Sequence, residues 1–453
     1  DRGAGAHHVM NTLTSYHSID IQWGNHDVLW IGAACGSEVC MADVLRISLR
    51  YANDETLTEG YGINLGPLVR LVMAHYRDEI GGSFQVKSKA TGLRQEDLDI
   101  FSLMQKAIAV VAFKLEGQLT LRRPELELSH RRLLDKIDYE AGNITIDGKT
   151  YRLTDTDFPT IDPLNPYELI PEEQYVVDKM ISSFLHSETL QKHVRFLIDK
   201  GSMYKIFNGN LLYHGCIPMN ELGEFEEFEL RGQRLKGKQL LDAFDNLVHQ
   251  AYYAKNTEDK GYALDMMWYL WCGPLSPLFG KDRMATFERY FIEEKETHKE
   301  TKNHYYSFRD DKDACETILW EFGLDPATAF IINGHVPVKV AAGELPIKGG
   351  GHLITIDGGF AKAYQKQTGI AGYTLIFNSQ GMHLVSHEPF ETKEKAIREG
   401  FDIIPTSVFI EENRPQMLVG DTDNGNEIKD RIDALKSLLA AYRSGTVRTL
   451  RRI

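Results

Sequence analysis

The 453-residue chain has few cysteines and no paired cysteine motif. The number is odd, and no C-x-x-C pair occurs among Cys35, Cys40, Cys216, Cys272 and Cys315. This usage indicates reduced thiols rather than a disulfide framework, so we expect a cytoplasmic protein. A run of about 18 apolar residues is also missing, and we therefore expect no association with a membrane.

The chain also lacks the excess of basic residues that nucleic-acid binding requires. It contains 51 Lys and Arg against 65 Asp and Glu, a formal net charge of −14. We therefore expect no nucleic-acid partner. A small anionic substrate is still compatible with this charge, because a local cationic pocket does not show in the net value. The sequence leaves open whether the chain forms a homo-oligomer.

Strand and helix patterns alternate in the second half of the chain and predict an α/β core. Before that half, helical periodicity dominates from 39 to 140, with 95–119 as the longest helix. A hairpin is predicted at 143–153, around the turn residues Asp147-Gly148. Further strands are predicted at 18–23, 203–207, 210–213, 329–333, 352–357, 373–379 and 382–386. Further helices are predicted at 6–17, 171–185, 188–200, 236–255, 261–271, 284–296, 310–322 and 427–443.

Four apolar strand patterns end in a polar side chain next to a glycine. They are "SIDIQWGNHD", "NLLYHG", "FIINGH" and "HLITIDGG", which deliver Asn25-His26-Asp27, His214, His335 and Asp357. In α/β sheets ligands bind at the carboxyl ends of the strands. A single histidine at a strand end is more often a polar cap, but the coincidence at three strands favours a site. One Asn and two His suit a borderline divalent ion such as Mn, Fe or Zn.

The remaining histidines of interest lie in helical or loop patterns, and we expect surface or structural roles for them. They are His7, His8, His75, His186, His193, His298 and His304. The acidic stretch "ELGEFEEFEL" at 221–230 is similarly expected to be a solvated loop or helix face.

The short motifs "DRG", "GNHD", "YHG" and "GHVP" resemble those of metallophosphoesterases in the phosphoprotein-phosphatase superfamily. Two longer blocks, "LSPLFGKDRMATFERYF" and "GGGHLITIDGGFAKAY", resemble a subgroup, the class III (bacterial, Firmicutes-type) fructose-1,6-bisphosphatases. The resemblance implies hydrolysis of fructose 1,6-bisphosphate to fructose 6-phosphate in gluconeogenesis, by a metal-activated water. A protein serine/threonine phosphatase of the same superfamily is the alternative, and an inactive fragment is a third possibility.

The resemblance also implies a fold: a metallophosphoesterase-like β-sandwich flanked by helices, with a large, mainly helical insertion. We assign residues 1–37 and 201–410 to the core and 38–200 to the insertion. Residues 411–453 are expected to form a C-terminal helical extension.

The resemblance implies a site with two Mn²⁺ ions, the second of which Asn25, His214 and His335 would bind. The superfamily's D-x-H and upstream G-D ligands are not found, because the sequence opens at Asp1 of D-R-G. We therefore expect an N-terminally truncated chain with little or no activity of its own.

Catalytic roles also follow from the resemblance. His26 would protonate the leaving alkoxide, Asp1 would keep that imidazole oriented and cationic, and Asp27 would be a further orienting partner. Arg2 would bind the phosphate through two parallel N–H groups. Lys281 or Arg283 is a candidate for a second substrate contact, with a surface role equally open.

Overall fold

The computed structural model describes residues 2–76, 82–87, 93–357, 368–387, 393–399, 406–412 and 416–447. Within it the chain divides into two compact units. The first unit comprises residues 1–205 and 213–314, and the second comprises 206–212 and 315–453. The predicted assignment of 1–37 and 201–410 to one core and 38–200 to an insertion stays a prediction.

Helices form most of the first unit. α3 packs against α5, and α2 packs against α9. The helices in chain order are α1 (Ala6–Thr14), α2 (Asn25–Cys35), α3 (Glu38–Arg50), α4 (Gly66–His75), α5 (Gln95–Arg122), α6 (Pro171–His186), α7 (Glu188–Lys200), α8 (Gly237–Tyr253), α9 (Thr257–Cys272), α10 (Phe287–Phe291) and α11 (Tyr305–Phe308).

The long helix α5 confirms the prediction for 95–119, and most of its residues from Ser102 to Thr120 are buried. Glu96 and Asp97 occupy its first turn, where the helix dipole favours acidic groups. Its buried Lys114 donates to Glu173 Oε2 and to the Thr160 carbonyl, both at 2.6 Å. Since neither side chain of the Lys114–Glu173 pair is exposed, removal of one partner would leave a buried charge.

Three small sheets complete the first unit. β1 (Ile21–Gln22) pairs in parallel with β5 (Gly201–Ser202). β2 (Ile137–Asp138), β3 (Asn143–Ile146) and β4 (Lys149–Arg152) form an antiparallel sheet, and β8 (Phe228–Leu230) pairs with β9 (Gln233–Leu235).

The sequence patterns succeeded where local turn chemistry decides the structure. The hairpin around Asp147-Gly148 is confirmed, with φ of 50° and 78° at the two turn residues, as a two-residue turn of this kind requires. The acidic stretch 221–230 is only partly a loop, because its end forms β8. Helix 284–296 is likewise shorter than predicted, since α10 ends at Phe291.

The second unit is built on a mixed five-stranded sheet, to which residues 206–212 contribute parts of two strands. Its order is β11 (Ile347–Lys348), β12 (Leu353–Thr355), β10 (Ile331–Asn333), β7 (Asn210–Tyr213) and β6 (Tyr204–Phe207). β10 pairs in parallel with both β7 and β12. The second, antiparallel sheet contains β13 (Gly372–Asn378), β14 (Gly381–His387) and β15 (Thr406–Glu412).

Among the described residues of this unit the helices are α12 (Lys312–Glu321), α13 (Lys393–Glu399) and α14 (Asp423–Arg443). α14 confirms the predicted helix near 427–443. Its first residue, Asp423, exchanges two hydrogen bonds of 2.7 and 3.0 Å with Asn208 in the turn between β6 and β7.

The predicted α/β class is confirmed, whereas the metallophosphoesterase-like β-sandwich stays a prediction. The predicted insertion segment is mainly helical, as expected, with one three-stranded sheet. Across the described ranges, no helix is both long and apolar enough to span a bilayer. All five cysteines are buried and free, as their spacing predicted.

Candidate active site

The motif "GNHD" begins a helix rather than ending a long strand. The predicted strand 18–23 is reduced to Ile21–Gln22, and α2 starts at Asn25. Gly24 is the N-cap residue, and its amide donates to Asp27 Oδ2 at 2.7 Å. Asp27 therefore satisfies one of the amides that a helix start leaves unpaired. The alternating pattern was misread because a sharp helix start follows only two paired residues.

Asn25 and His26 occupy the first two positions of α2, with different exposure. Asn25 is 7% exposed, and its side chain is thus well shielded from solvent. His26 is half-buried, and its ring meets the edge of Trp271 on α9, with the centroids 4.9 Å apart. The helix start therefore presents an amide and an imidazole side by side, with the imidazole against the edge of an indole.

The environment of His26 favours a neutral imidazole. Burial is the main cause that lowers its pKa to about 3, and the positive charge of Arg2 acts in the same direction. Asp27 acts in the opposite direction but is outweighed. The expected cationic His26 is therefore not what this arrangement favours. Its expected partner Asp1 lies outside the described residues.

His214 lies directly against the helix start. A Cβ atom added to Gly24 would stand 2.8 Å from His214 Cε1 and 3.1 Å from both ring nitrogens. Only glycine at this position allows the imidazole to approach so closely. The structure thus brings His214 next to the segment that carries Asn25. These two residues are two of the three predicted metal ligands.

The glycine after His214 serves a different close approach. A Cβ on Gly215 would stand 2.5 Å from the Pro277 carbonyl oxygen, and the next amide, of Cys216, donates to that same oxygen at 2.9 Å. The turn after β7 is thereby held to the "GPLSPLFG" segment. Because Gly215 permits this contact, the position of His214 is fixed from its C-terminal side.

The third predicted ligand, His335, belongs to the second unit. It follows β10 by two residues and has a φ of 66°, in the left-handed region. Side chains other than glycine rarely adopt this conformation, although histidine is among the enriched exceptions. The left-handed conformation thus falls on the histidine and not on the neighbouring Gly334. Strained residues of this kind concentrate at functional sites.

The predicted substrate contacts differ in how they are engaged. Lys281 Nζ lies 2.7 Å from Glu300 Oε2, so its charge is largely compensated within the protein. Arg283 lies on the surface, 3.7 Å from Asp147 and from Asp282. Neither arrangement tests a substrate contact, and both assignments stay predictions. Asp357 is described, but the two glycines that follow it lie outside the described residues.

Among the described residues, no group of three or more His, Cys, Asp and Glu side chains could hold a metal ion. This absence concerns those four residue types only, so it does not cover a ligand set that includes the side-chain amide of Asn25. The histidines expected to be structural include His193, which bonds Asn11 and Tyr61, and His298, which bonds two backbone carbonyls. Those structural roles are confirmed for the two.

Sequence reasoning missed the side chains that surround His26 from distant segments. Trp271 touches it, and the charge of Arg46 on α3 contributes to lowering its pKa. Arg46 is held by Asp43, whose Oδ1 lies 2.6 Å from its Nη2. The sequence signal for Arg46 was its spacing from Asp43, since two opposite charges three residues apart in an apolar helix indicate a buried pair.

Comparison with known proteins identifies the class of the chain as that of the sugar phosphatases. A family model described as Firmicute fructose-1,6-bisphosphatase matches residues 1–444. The chain belongs to this family. No solved structure matches it.

Curated relatives agree with the family. The chain is 53% identical to a "Fructose-1,6-bisphosphatase class 3" of Clostridium tetani (strain Massachusetts / E88) over 448 residues, 99% of the chain and 68% of the relative. It is also 53% identical to a "Fructose-1,6-bisphosphatase class 3 1" of Clostridium beijerinckii, over 454 residues, 100% of the chain and 68% of the relative. It is 53% identical to a Clostridium novyi protein named "Fructose-1,6-bisphosphatase class 3" over 449 residues, which cover 99% of the chain and 68% of the relative.

The predicted function is therefore confirmed at this level: the chain is a phosphoric monoester hydrolase acting as a fructose-1,6-bisphosphatase. The alternative of a protein serine/threonine phosphatase finds no support in the names of these relatives.

Proposed function

We propose that the chain hydrolyses the 1-phosphate of fructose 1,6-bisphosphate in the cytoplasm, with His26 as general acid and a divalent ion, Mn²⁺, held by Asn25, His214 and His335. Family membership supports the identity of the substrate. The contact between His214 and Gly24 carries the site, because it joins two distant motifs of one ligand set. The five free, buried cysteines favour a reducing compartment.

The donor chemistry fits such an ion. Imidazole nitrogens and an amide oxygen are accepted by Mn²⁺, and Asn25 and the His214 ring lie at one helix start. His335 belongs to the second unit, and its place in the ligand set rests on the family resemblance. When bound, divalent ions supply positive charge for phosphoryl oxygens and lower the pKa of water.

The side chains around His26 have separate tasks in this proposal. His26 gives its proton to the leaving alkoxide of the sugar, and Trp271 limits the rotation of the imidazole. Arg2 binds the phosphoryl group, since a guanidinium can donate two parallel N–H bonds to it. The phosphoryl dianion favours a protonated imidazole, which opposes the effect of Arg2 on the pKa of His26.

Phosphate release from fructose 1,6-bisphosphate, before and after removal of divalent ions by a chelator, tests the proposal. We expect activity to be lost on chelation and restored best by Mn²⁺. Asn25→Ala should lower the bound manganese measured by mass spectrometry as well as the rate. Unchanged manganese content and rate in Asn25→Ala would contradict the ligand assignment, and a preference for a phosphopeptide would contradict the substrate.

A further inference from the structure

A group of cationic side chains in the first unit has no role in the reaction described so far. Its members are Arg50 at the end of α3, Arg289 on α10, and Lys87 in the segment 82–87. Together these three residues are called the basic cluster. The chain as a whole is acidic. A local concentration of positive charge is therefore notable and points to an anionic ligand.

The short segment that carries Lys87 is held in place by a buried aromatic. The ring of Phe84 is fully buried and stacks on Tyr290, with centroids 4.4 Å apart and an interplanar angle of 6°. The Phe84 carbonyl also accepts from Gln105 Nε2 at 2.6 Å. The Lys87 amide then donates to the Arg50 carbonyl at 2.8 Å. These contacts fix the backbone of Lys87 beside Arg50.

Tyr290 organises the arginines as well. The guanidinium carbon of Arg50 lies 4.8 Å from the centre of the Tyr290 ring, and its Nη1 donates to Gln105 Oε1 at 3.4 Å. Arg289, adjacent to Tyr290 in sequence, donates to the His298 carbonyl at 2.9 Å. Arg50 is therefore oriented by neutral groups, whereas Arg289 also has a carboxylate, Glu300, beside it.

The acidic groups nearby do not cancel this charge. Glu300 lies 3.2 Å from Arg289, but it lies 2.7 Å from Lys281 and is shared between the two. Among the described residues, neither Arg50 nor Lys87 forms an ion pair. The basic cluster thus keeps a net positive charge that an added anion could neutralise.

Arg2 connects the basic cluster to the candidate active site. Burial lowers the pKa of Lys87, and the charges of Arg50, Arg289 and Arg2 lower it further. Arg2 also contributes to lowering the pKa of His26. Tyr290, which orients Arg50, also lies beside Arg46, whose Nη1 donates to the Tyr290 hydroxyl oxygen at 3.5 Å. Arg46, like Arg2, contributes to lowering the pKa of His26.

We propose that Arg50, Lys87 and Arg289 bind the phosphoryl group of the sugar bisphosphate that is not cleaved. This inference rests on the proposed function, in which Arg2 and His26 act on the phosphoryl group that is cleaved. A bisphosphate carries its two anionic groups at opposite ends of one sugar. Two separate cationic sites match that distribution, and the uncleaved group would select bisphosphates over simple phosphate monoesters.

The substitution Lys87→Gln tests the proposal, because the backbone bond to Arg50 is retained while one charge is lost. We expect KM for fructose 1,6-bisphosphate to rise about 10-fold or more, the loss typical of one charge-assisted hydrogen bond, with kcat little changed. Hydrolysis of p-nitrophenyl phosphate, which has no second phosphoryl group, should keep its kcat/KM. Lys87→Arg should restore the KM.

A matched control removes one positive charge elsewhere on the first unit. Arg94 is exposed before α5 and pairs with Asp97, so Arg94→Gln should leave both substrates unaffected. Isothermal titration with fructose 6-phosphate provides a readout that does not need turnover. Its Kd should rise by the same factor in Lys87→Gln and stay constant in Arg94→Gln.

Three results would overturn the inference: an unchanged KM in Lys87→Gln, an equal loss on both substrates, or an equal effect of Arg94→Gln. Failure of the proposed function gives a different pattern. If His26 and the metal ligands are assigned wrongly, His26→Ala and Asn25→Ala will keep their kcat on both substrates, whatever Lys87→Gln does to KM.

Discussion

The substitution Gly24→Ala isolates the contact between the helix start and His214. Gly24 has φ and ψ of −94° and 170°, an extended conformation that alanine adopts without strain. The backbone therefore tolerates the change. The new Cβ would stand 2.8 Å from His214 Cε1, whereas ordinary contacts begin at 3.4 Å. The imidazole must retreat by about 0.6 Å.

We expect this displacement of the imidazole to have a small effect on the stability of the fold and a large effect on the catalytic rate. We expect the free energy of unfolding to change by less than about 1 kcal/mol, because Gly→Ala at a compatible position also reduces the entropy of the unfolded chain. Metal–ligand distances, however, tolerate only about 0.2 Å. A misplacement near 1 Å at an active site can reduce the rate about 10²-fold, and we expect a loss of one to two orders of magnitude in kcat/KM.

The assay combines kcat/KM for fructose 1,6-bisphosphate, bound manganese and thermal unfolding. Gly261→Ala on α9 is the matched control, because a Cβ there meets no atom within 4 Å. A Gly24→Ala enzyme that keeps the activity and manganese affinity of the Gly261→Ala enzyme would refute the role of His214. Loss of activity together with gross destabilisation would refute the claim that the backbone tolerates alanine.

Three further predictions follow from the same contacts. His26→Ala should lower kcat about 10²- to 10⁴-fold on both sugar bisphosphate and p-nitrophenyl phosphate if His26 is the general acid, and steady-state rates at several pH values would show it. Burial raises the pKa of Glu116 to about 7 despite its partner Arg131, so this carboxyl favours folding most below its unfolded pKa near 4.5. As the pH rises from about 4.5 towards 7, the wild type should lose unfolding free energy relative to Glu116→Gln in urea titrations, and parallel curves would contradict this. Gly201→Ala should destabilise the fold by about 3 kcal/mol, because its Cβ would overlap the indole nitrogen of Trp23, and an unchanged melting temperature would contradict that packing.

The Gly201 position illustrates how a correct local prediction can have a different physical cause. Helix α7 ends at Lys200, as predicted, directly before Gly201. Its φ of −100° is, however, extended and open to any residue. Glycine is needed there because Trp23 donates to the Leu197 carbonyl at 2.8 Å and fills the space of a side chain. That need arises from packing between distant segments, which no local pattern reveals.

Helices with strong periodicity and turns with specific chemistry could be predicted because their causes lie within a few residues. Helix α5 and the hairpin around Asp147-Gly148 are of this kind. The candidate ligands Asn25 and His214 were equally accessible, since each lies in a motif that resembles a known family. Neither the start of α2 at Asn25 nor the charge state of His26 was accessible. The start of α2 follows from the contact between Gly24 and Asp27, which the alternating pattern concealed. The lowered pKa of His26 depends on burial and on charges from other segments, such as Arg2 and Arg46.

The sequence by itself determined the family, the chemistry of the candidate ligands and most regular elements, because motifs and periodicities are properties of short stretches. Tertiary structure alone decided that His214 lies against Gly24 and that Lys87 stands beside Arg50 near Tyr290. These contacts join residues far apart in the chain, and their energies come from packing and electrostatics between segments. A sequence lists the participants in such contacts, but only the folded chain determines which of them meet.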